Sequence, residues 1–98
     1  MPRPLVGLHP EAIAEAAAAA TWYRERSESA ALAFLKEFDR AIDRIAAAPG
    51  RWPKYVGGTR RFLMHRFPFS VVYRIEGEAI QVLAVAHARR RPGYWKGR

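Results

Sequence analysis

Apolar side chains follow two rhythms along the chain, and the change between them divides it in half. Between residues 10 and 48 they recur at three- and four-residue steps, the spacing of one helix face. His9-Pro10-Glu11 opens a first helix: the fixed φ of proline suits the first helical position, and Glu11 and Glu15 lie toward the positive end of the dipole. This helix is predicted to reach about Arg26 through the run Ala16–Ala20, with Ile13, Ala16, Ala17, Ala20 and Tyr23 facing inward. Ser27 or Ser29 caps a second helix, which Pro49-Gly50 stops near Ala48. Its apolar stripe is Leu35, Phe38, Ile42 and Ile45, with Phe34 and Ala41 beside it. Lys36, Glu37, Asp39, Arg40, Asp43 and Arg44 make a solvated opposite face. Phe34, Phe38 and Trp22 read as core.

From Arg51 the rhythm is that of strands. Residues 51–58 form a loop carrying Trp52, Tyr55 and two glycines, and β-like runs follow at about Arg60–Phe67, Ser70–Ile75 and Ala79–His87. Pro68 and Glu76-Gly77 mark the turns, and connections this short force antiparallel pairing. Pro4–Leu8 supplies an N-terminal strand, placed at an edge by Pro2 and Pro4. The expected fold is α+β in two layers: an antiparallel twisted sheet with an N-terminal strand and a helical hairpin packed on one face, in the order β-α-α-β-β-β. Which strand the first one joins is open. Residues 1–98 are expected to form one domain. Residues 89–98 are a basic tail, either flexible or pinned to the fold by Tyr94-Trp95.

Composition narrows the class. Of 49 apolar residues 18 are alanine, which leaves enough bulk for one small core but not for a large internal cavity. Cysteine is absent, which excludes disulfides and thiolate metal sites and suits a reducing cytoplasm. The longest uncharged run, Ala79–Ala88, is ten residues, about half of a membrane span. No signal-peptide-like apolar stretch follows Met1, so a cytoplasmic location is expected. The net charge of +8 is unevenly spread. Residues 1–50 carry 6 basic and 7 acidic side chains, whereas residues 51–98 carry 11 and 2, a net of +9 for the second half. Segregated charge of this kind points to a polyanionic partner: nucleic acid, a ribosome or an acidic protein.

Little else carries chemistry. Gly57-Gly58 lacks the companions of a phosphate-binding loop, and His9, His65 and His87 have no metal-ligand spacing, so neither metal nor cofactor is expected. No paired-carboxylate site is evident. What remains is a basic surface, Arg60, Arg61, Arg66, Arg74, Arg89, Arg90 and Arg91, interleaved with His65, His87, Tyr73, Tyr94 and Trp95. A metal-free ribonuclease needs a base, an acid and cations around the phosphorane; at the end of the last strand one imidazole, His87, and one guanidinium, Arg89, could converge for it.

In order and wording the chain resembles the RelE/ParE superfamily of toxins from bacterial toxin–antitoxin modules. The resemblance runs from Leu8-His9-Pro10-Glu11-Ala12 through Phe34-Leu35, Ile42-Asp43-Arg44-Ile45 and Ala48-Pro49 to Arg60-Arg61-Phe62. It is strongest at Arg66-Phe67-Pro68-Phe69-Ser70-Val71-Val72-Tyr73-Arg74 and at Val82–Arg90. It implies a growth-inhibiting toxin with no cofactor, neutralised by a cognate antitoxin. RelE-like members cut mRNA on the ribosome; ParE-like members inhibit DNA gyrase. RelE-like nucleases carry an arginine where this chain has Ser70, and their basic residues on the preceding strand are matched imperfectly by Leu63-Met64-His65-Arg66. Arg89 matches the arginine after the last strand, and Tyr94 or Trp95 the aromatic near the C-terminus, so that a nuclease of this kind would use His87, Arg89 and Tyr94. A hydroxyl in place of that guanidinium removes a phosphate-stabilising charge. The resemblance therefore favours a ParE-like gyrase inhibitor, with a ribosome-dependent endoribonuclease and a non-specific nucleic-acid binder as alternatives.

Overall fold

The computed structural model describes residues 3–98; Pro2, invoked for the first strand, lies outside them. Helix α1 spans Pro10–Arg24 and α2 spans Glu28–Ala47. His9 caps α1 through Nδ1, which accepts the Glu11 N–H at 3.1 Å. Of the two candidate serines, Ser27 caps α2: its hydroxyl accepts the Ala30 N–H at 3.3 Å. Ser27→Ala is therefore expected to destabilise by about 1 kcal/mol. The check is a lower urea midpoint at unchanged slope; an unmoved midpoint would show the cap to be idle.

The face of α1 differs from the expected one. Ala12, Ala16, Ala19 and Ala20 are buried, while Ala17 is exposed and Ile13 is 55% exposed. An alanine run offers nearly the same thin face in every rotation, so periodicity alone could not set the angle of this helix. Trp22 is corrected from core to surface: it is half exposed, with the Arg26 guanidinium 3.4 Å from its ring centroid. Phe34 is fully buried and central, stacked with Tyr23 and edge-on to Phe67 and Phe69.

Five strands make one sheet: β1 (Leu5–Leu8), β2 (Lys54–Tyr55), β3 (Thr59–Leu63), β4 (Phe69–Glu76) and β5 (Ala79–His87), in the order β1-β5-β4-β3-β2. β2 falls within residues 51–58, where a loop is expected, because two residues are too short a run to show an alternating pattern. The hairpin turn is Gly77-Glu78, one residue later than expected, because Gly77 takes the left-handed φ of 62° that the turn requires. The sheet is mixed rather than wholly antiparallel: β1 runs parallel to β5, pairing Leu5 with Ala79 through Leu8 with Val82. Short turns force antiparallel neighbours only among β2–β5, and β1, separated from β5 by most of the chain, is free of that constraint.

Between β4 and β5 the register slips at Val72/Tyr73, so that Leu83 is an extra residue on β5. The bulge sorts the strand onto two faces. Val71, Tyr73, Ile80, Val82 and Val85 pack with the helices, whereas Val72, Leu83, Ala84 and Ala86 form a second cluster with Trp95. The hairpin thus covers one face of the sheet, and part of the other is covered by the tail. Trp95 is only 4% exposed, with Tyr55 and Tyr94 against it.

Candidate functional site

The end of β5 projects past β1, whose pairing stops at Leu8–Val82. Its outward backbone groups are met by side chains instead of a strand. Glu15 of α1 accepts the Val85 N–H at 2.9 Å, and Arg98 donates to the Leu83 carbonyl at 3.0 Å. Arg98 also grips Glu15 with both terminal nitrogens, at 3.0 and 3.1 Å, and the Tyr94 hydroxyl donates to Glu15 at 2.8 Å. One carboxylate therefore ties α1, β5 and the tail together. Burial raises the Glu15 pKa, but the bonds from Arg98, Val85 and Tyr94 and the Arg98 charge outweigh it, and the net value lies below 4.5. Burial, then Glu15, pushes the Tyr94 phenol up to about 12.

Neither Glu15 nor Arg98 was among the residues the sequence marked. Alanines flank Glu15 and no basic side chain lies within a turn on its own helix, but a solvated carboxylate needs no partner, so the sequence carried no signal for this role.

The seven arginines do not form one patch. Arg61 lies with its guanidinium 4.1 Å from the Tyr55 ring centroid, and Arg90 lies 3.8 Å from that of Tyr94. Tyr55, Trp95 and Tyr94 are successive ring neighbours at 5.6 and 5.2 Å. The result is a row of three aromatic rings with an arginine at each end, across the sheet face opposite the helices. Arg60 donates to the Trp52 carbonyl at 2.6 Å, Arg66 pairs with Glu37 of α2 at 3.4 Å, and Arg74 pairs with Glu76 at 3.5 Å. Arg89 and Arg91 are exposed just past β5.

Among the residues marked for nucleolytic chemistry, His87 ends β5 with its Nδ1 accepting the Arg89 N–H at 3.0 Å, which leaves Nε2 as the proton-bearing nitrogen of the neutral ring. It shares a cleft with Trp22, Phe69, Glu15 and Arg90, with a volume of about 400 Å³. Tyr94 is committed to Glu15. Ser70 is buried on the tail-covered face, so the position at which a nuclease would carry an arginine holds a small side chain beneath the tail. Among the described residues no group of three His, Cys, Asp or Glu could hold a metal ion, and no helix is long and apolar enough to cross a membrane.

Fold and surface together define a small, arginine-rich α+β protein with a helical hairpin across a mixed sheet and a tail locked over the other face. A family model described as the ParE toxin of the type II toxin-antitoxin system, parDE, matches residues 6–92, and the chain belongs to that family. Among solved structures it is similar to a chain of the chromosomal ParDE TA system from P. aeruginosa. The TM-score is 0.76 at 20% sequence identity, over 87% of this chain and 96% of that chain, a likeness of fold. No curated protein matches significantly.

Proposed function

We propose that the protein is a growth-inhibiting toxin that acts in the cytoplasm by binding and inhibiting DNA gyrase, and that a cognate antitoxin neutralises it. Membership of the ParE family over residues 6–92 carries this reading. Two features support docking over cutting. Ser70 is a small, largely buried residue where a phosphate-stabilising guanidinium would be needed. The Tyr94 phenol is bonded to Glu15 and raised to about 12, which makes it a poor proton donor at neutral pH. The contact surface is the aromatic row with Arg61 and Arg90 at its ends and Arg89 and Arg91 exposed past β5; Arg60, Arg66 and Arg74 are held by Trp52, Glu37 and Glu76 and lie outside that row. Like most cationic docking faces, it acts chiefly on encounter rate and orientation.

Supercoiling by purified gyrase is expected to stop at near-stoichiometric toxin, and an Arg61→Glu, Arg90→Glu double variant should need about tenfold more. Undiminished supercoiling at large excess of the unaltered protein would overturn the gyrase assignment.

A further inference from the structure

The cleft of about 400 Å³ that holds His87 opens between α1 and the adjoining ends of β4 and β5. Ala18, Ala19 and Trp22 line it from α1, where a spacing of three and four residues puts them on one face of the helix. Phe69, Val85 and His87 line it from the sheet. The two alanines leave room, and Trp22, Tyr23 and Phe69 supply aromatic surface around it. Trp22 is half exposed and lies edge-on to Tyr23 at 5.1 Å, and Phe69 meets the His87 ring edge-on at the same distance.

Most polar groups beside this cleft already have partners. Glu15 is the one carboxylate in the lining. Its Oε1 accepts from the Val85 N–H and Arg98, and its Oε2 from Tyr94 and Arg98, which fills its four lone-pair positions. The backbone is closed in the same way. The Leu83 C=O accepts from Arg98, the Ala88 N–H donates to the Pro68 C=O at 2.8 Å, and the Arg90 N–H donates to the His87 C=O at 2.9 Å. Of the side-chain groups left over, the Arg90 guanidinium, the His87 Nε2–H and the Trp22 indole N–H can only donate, and the Tyr23 hydroxyl can donate or accept. Among the described residues Arg90 takes part in no ion pair, whereas Glu15 is offset by Arg98. The cleft therefore carries one uncompensated positive charge, with donors in excess and no free carboxylate.

We propose that this cleft is a binding site for a small aromatic monocarboxylate. The flat ring system lies over Ala18 and Ala19 against Trp22 and Phe69, and the carboxylate accepts from Arg90 and the His87 Nε2–H. Aromatic walls favour a ring that can stack or meet them edge-on. A carboxylate carries acceptors alone, the complement of the donors left over, and its bonds to a guanidinium are of the strong, charge-assisted kind. The volume falls within the range of small-molecule pockets, about 300–1,000 Å³. An extended peptide would need open backbone partners, and the backbone groups bordering the cleft are taken. A nucleobase would bring ring donors and acceptors that alanine, valine and phenylalanine leave unpaired. The site does not depend on the gyrase reading.

The test is a titration of isotope-labelled protein with 2-naphthoate, and in parallel with the uncharged 2-naphthylmethanol. Saturable shifts are expected at the Trp22 indole N–H and at the Val85 and His87 amides, with the alcohol bound about tenfold or more weakly than the acid. Arg90→Gln, at an exposed position, should weaken the acid about tenfold and leave the alcohol unchanged, a split that loss of structure would not produce. Ala18→Phe, also at an exposed position, fills the cleft and should abolish binding of both while the remaining spectrum stays folded. The site is overturned by shifts that never saturate, by shifts centred on Trp52 or Trp95, or by naphthoate binding that survives Ala18→Phe. Equal affinity for acid and alcohol, or an unweakened Arg90→Gln variant, would overturn the carboxylate. Tighter binding of N-acetyltryptophanamide than of naphthoate would give the cleft to a protein side chain and overturn the small acid as its ligand.

Discussion

Glu15→Ala is expected to destabilise the protein by about 3 kcal/mol, the cost typical of breaking one side of a buried ion pair. The carboxylate and its partner Arg98 are each only 16% exposed at the side chain. Removing it strands a guanidinium, a phenol and the Val85 N–H at once. An exposed surface pair such as Arg3–Asp43 would cost well under about 1 kcal/mol. Equilibrium denaturation at neutral pH gives the number, and a loss below about 1 kcal/mol would refute the linchpin role. The same carboxylate predicts a pH signature. Because its folded pKa lies below the ordinary 4.5, its contribution is complete above the unfolded value and fades as pH falls through the folded one. The stability gap between the parent and Glu15→Gln should therefore close in acid, below about pH 4.5. A gap that stayed constant from neutral pH into strong acid would show that charge plays no part.

Trp95→Ala is expected to cost about 3–5 kcal/mol, the range for deleting a buried aromatic ring. In a domain of 98 residues that lowers Tm by at least about 12 °C. The ring is buried on Val72, Leu83, Ala84 and Ala86, so its loss opens a void against β4 and β5 and uncovers their outer face. Were the tail mobile, the same substitution would register within about 0.5 kcal/mol. Scanning calorimetry separates the two outcomes, and proteolysis of the tail at neutral pH should accelerate in step with the lost stability.

Some features were legible because they depend on near neighbours. The serine cap, the proline that opens α1 and the Pro49-Gly50 stop act within one helical turn, so their residues announce themselves. The stripe Leu35, Phe38, Ile42 and Ile45, with Phe34 and Ala41 beside it, repeats at the helical period and packs into the core. The Ala79–His87 run, uncharged and apolar on both parities, becomes the interior strand β5, paired on both sides. Other features were hidden because their partners are far apart. Glu15 looked like an ordinary dipole-facing carboxylate until residues 70 to 83 positions away closed around it. Arg40 and Arg44 looked like solvated helix surface, and only the approach of β3 made them the wall of a groove.

The sequence by itself determined the helical hairpin, the β-rich second half, the concentration of charge there and the family resemblance, since each is written in local spacing or in the order of residues. Tertiary structure decided the rest. It set the parallel pairing of β1, for which no short turn dictates direction. It set the rotation of α1, because an alanine run has no preferred face. It locked the tail, because one tryptophan and one tyrosine are equally at home free or buried until a surface exists to receive them. It also split a single tally of arginines into ion-paired, ring-stacked and free groups, because charge adds along a chain but acts only where the fold places it.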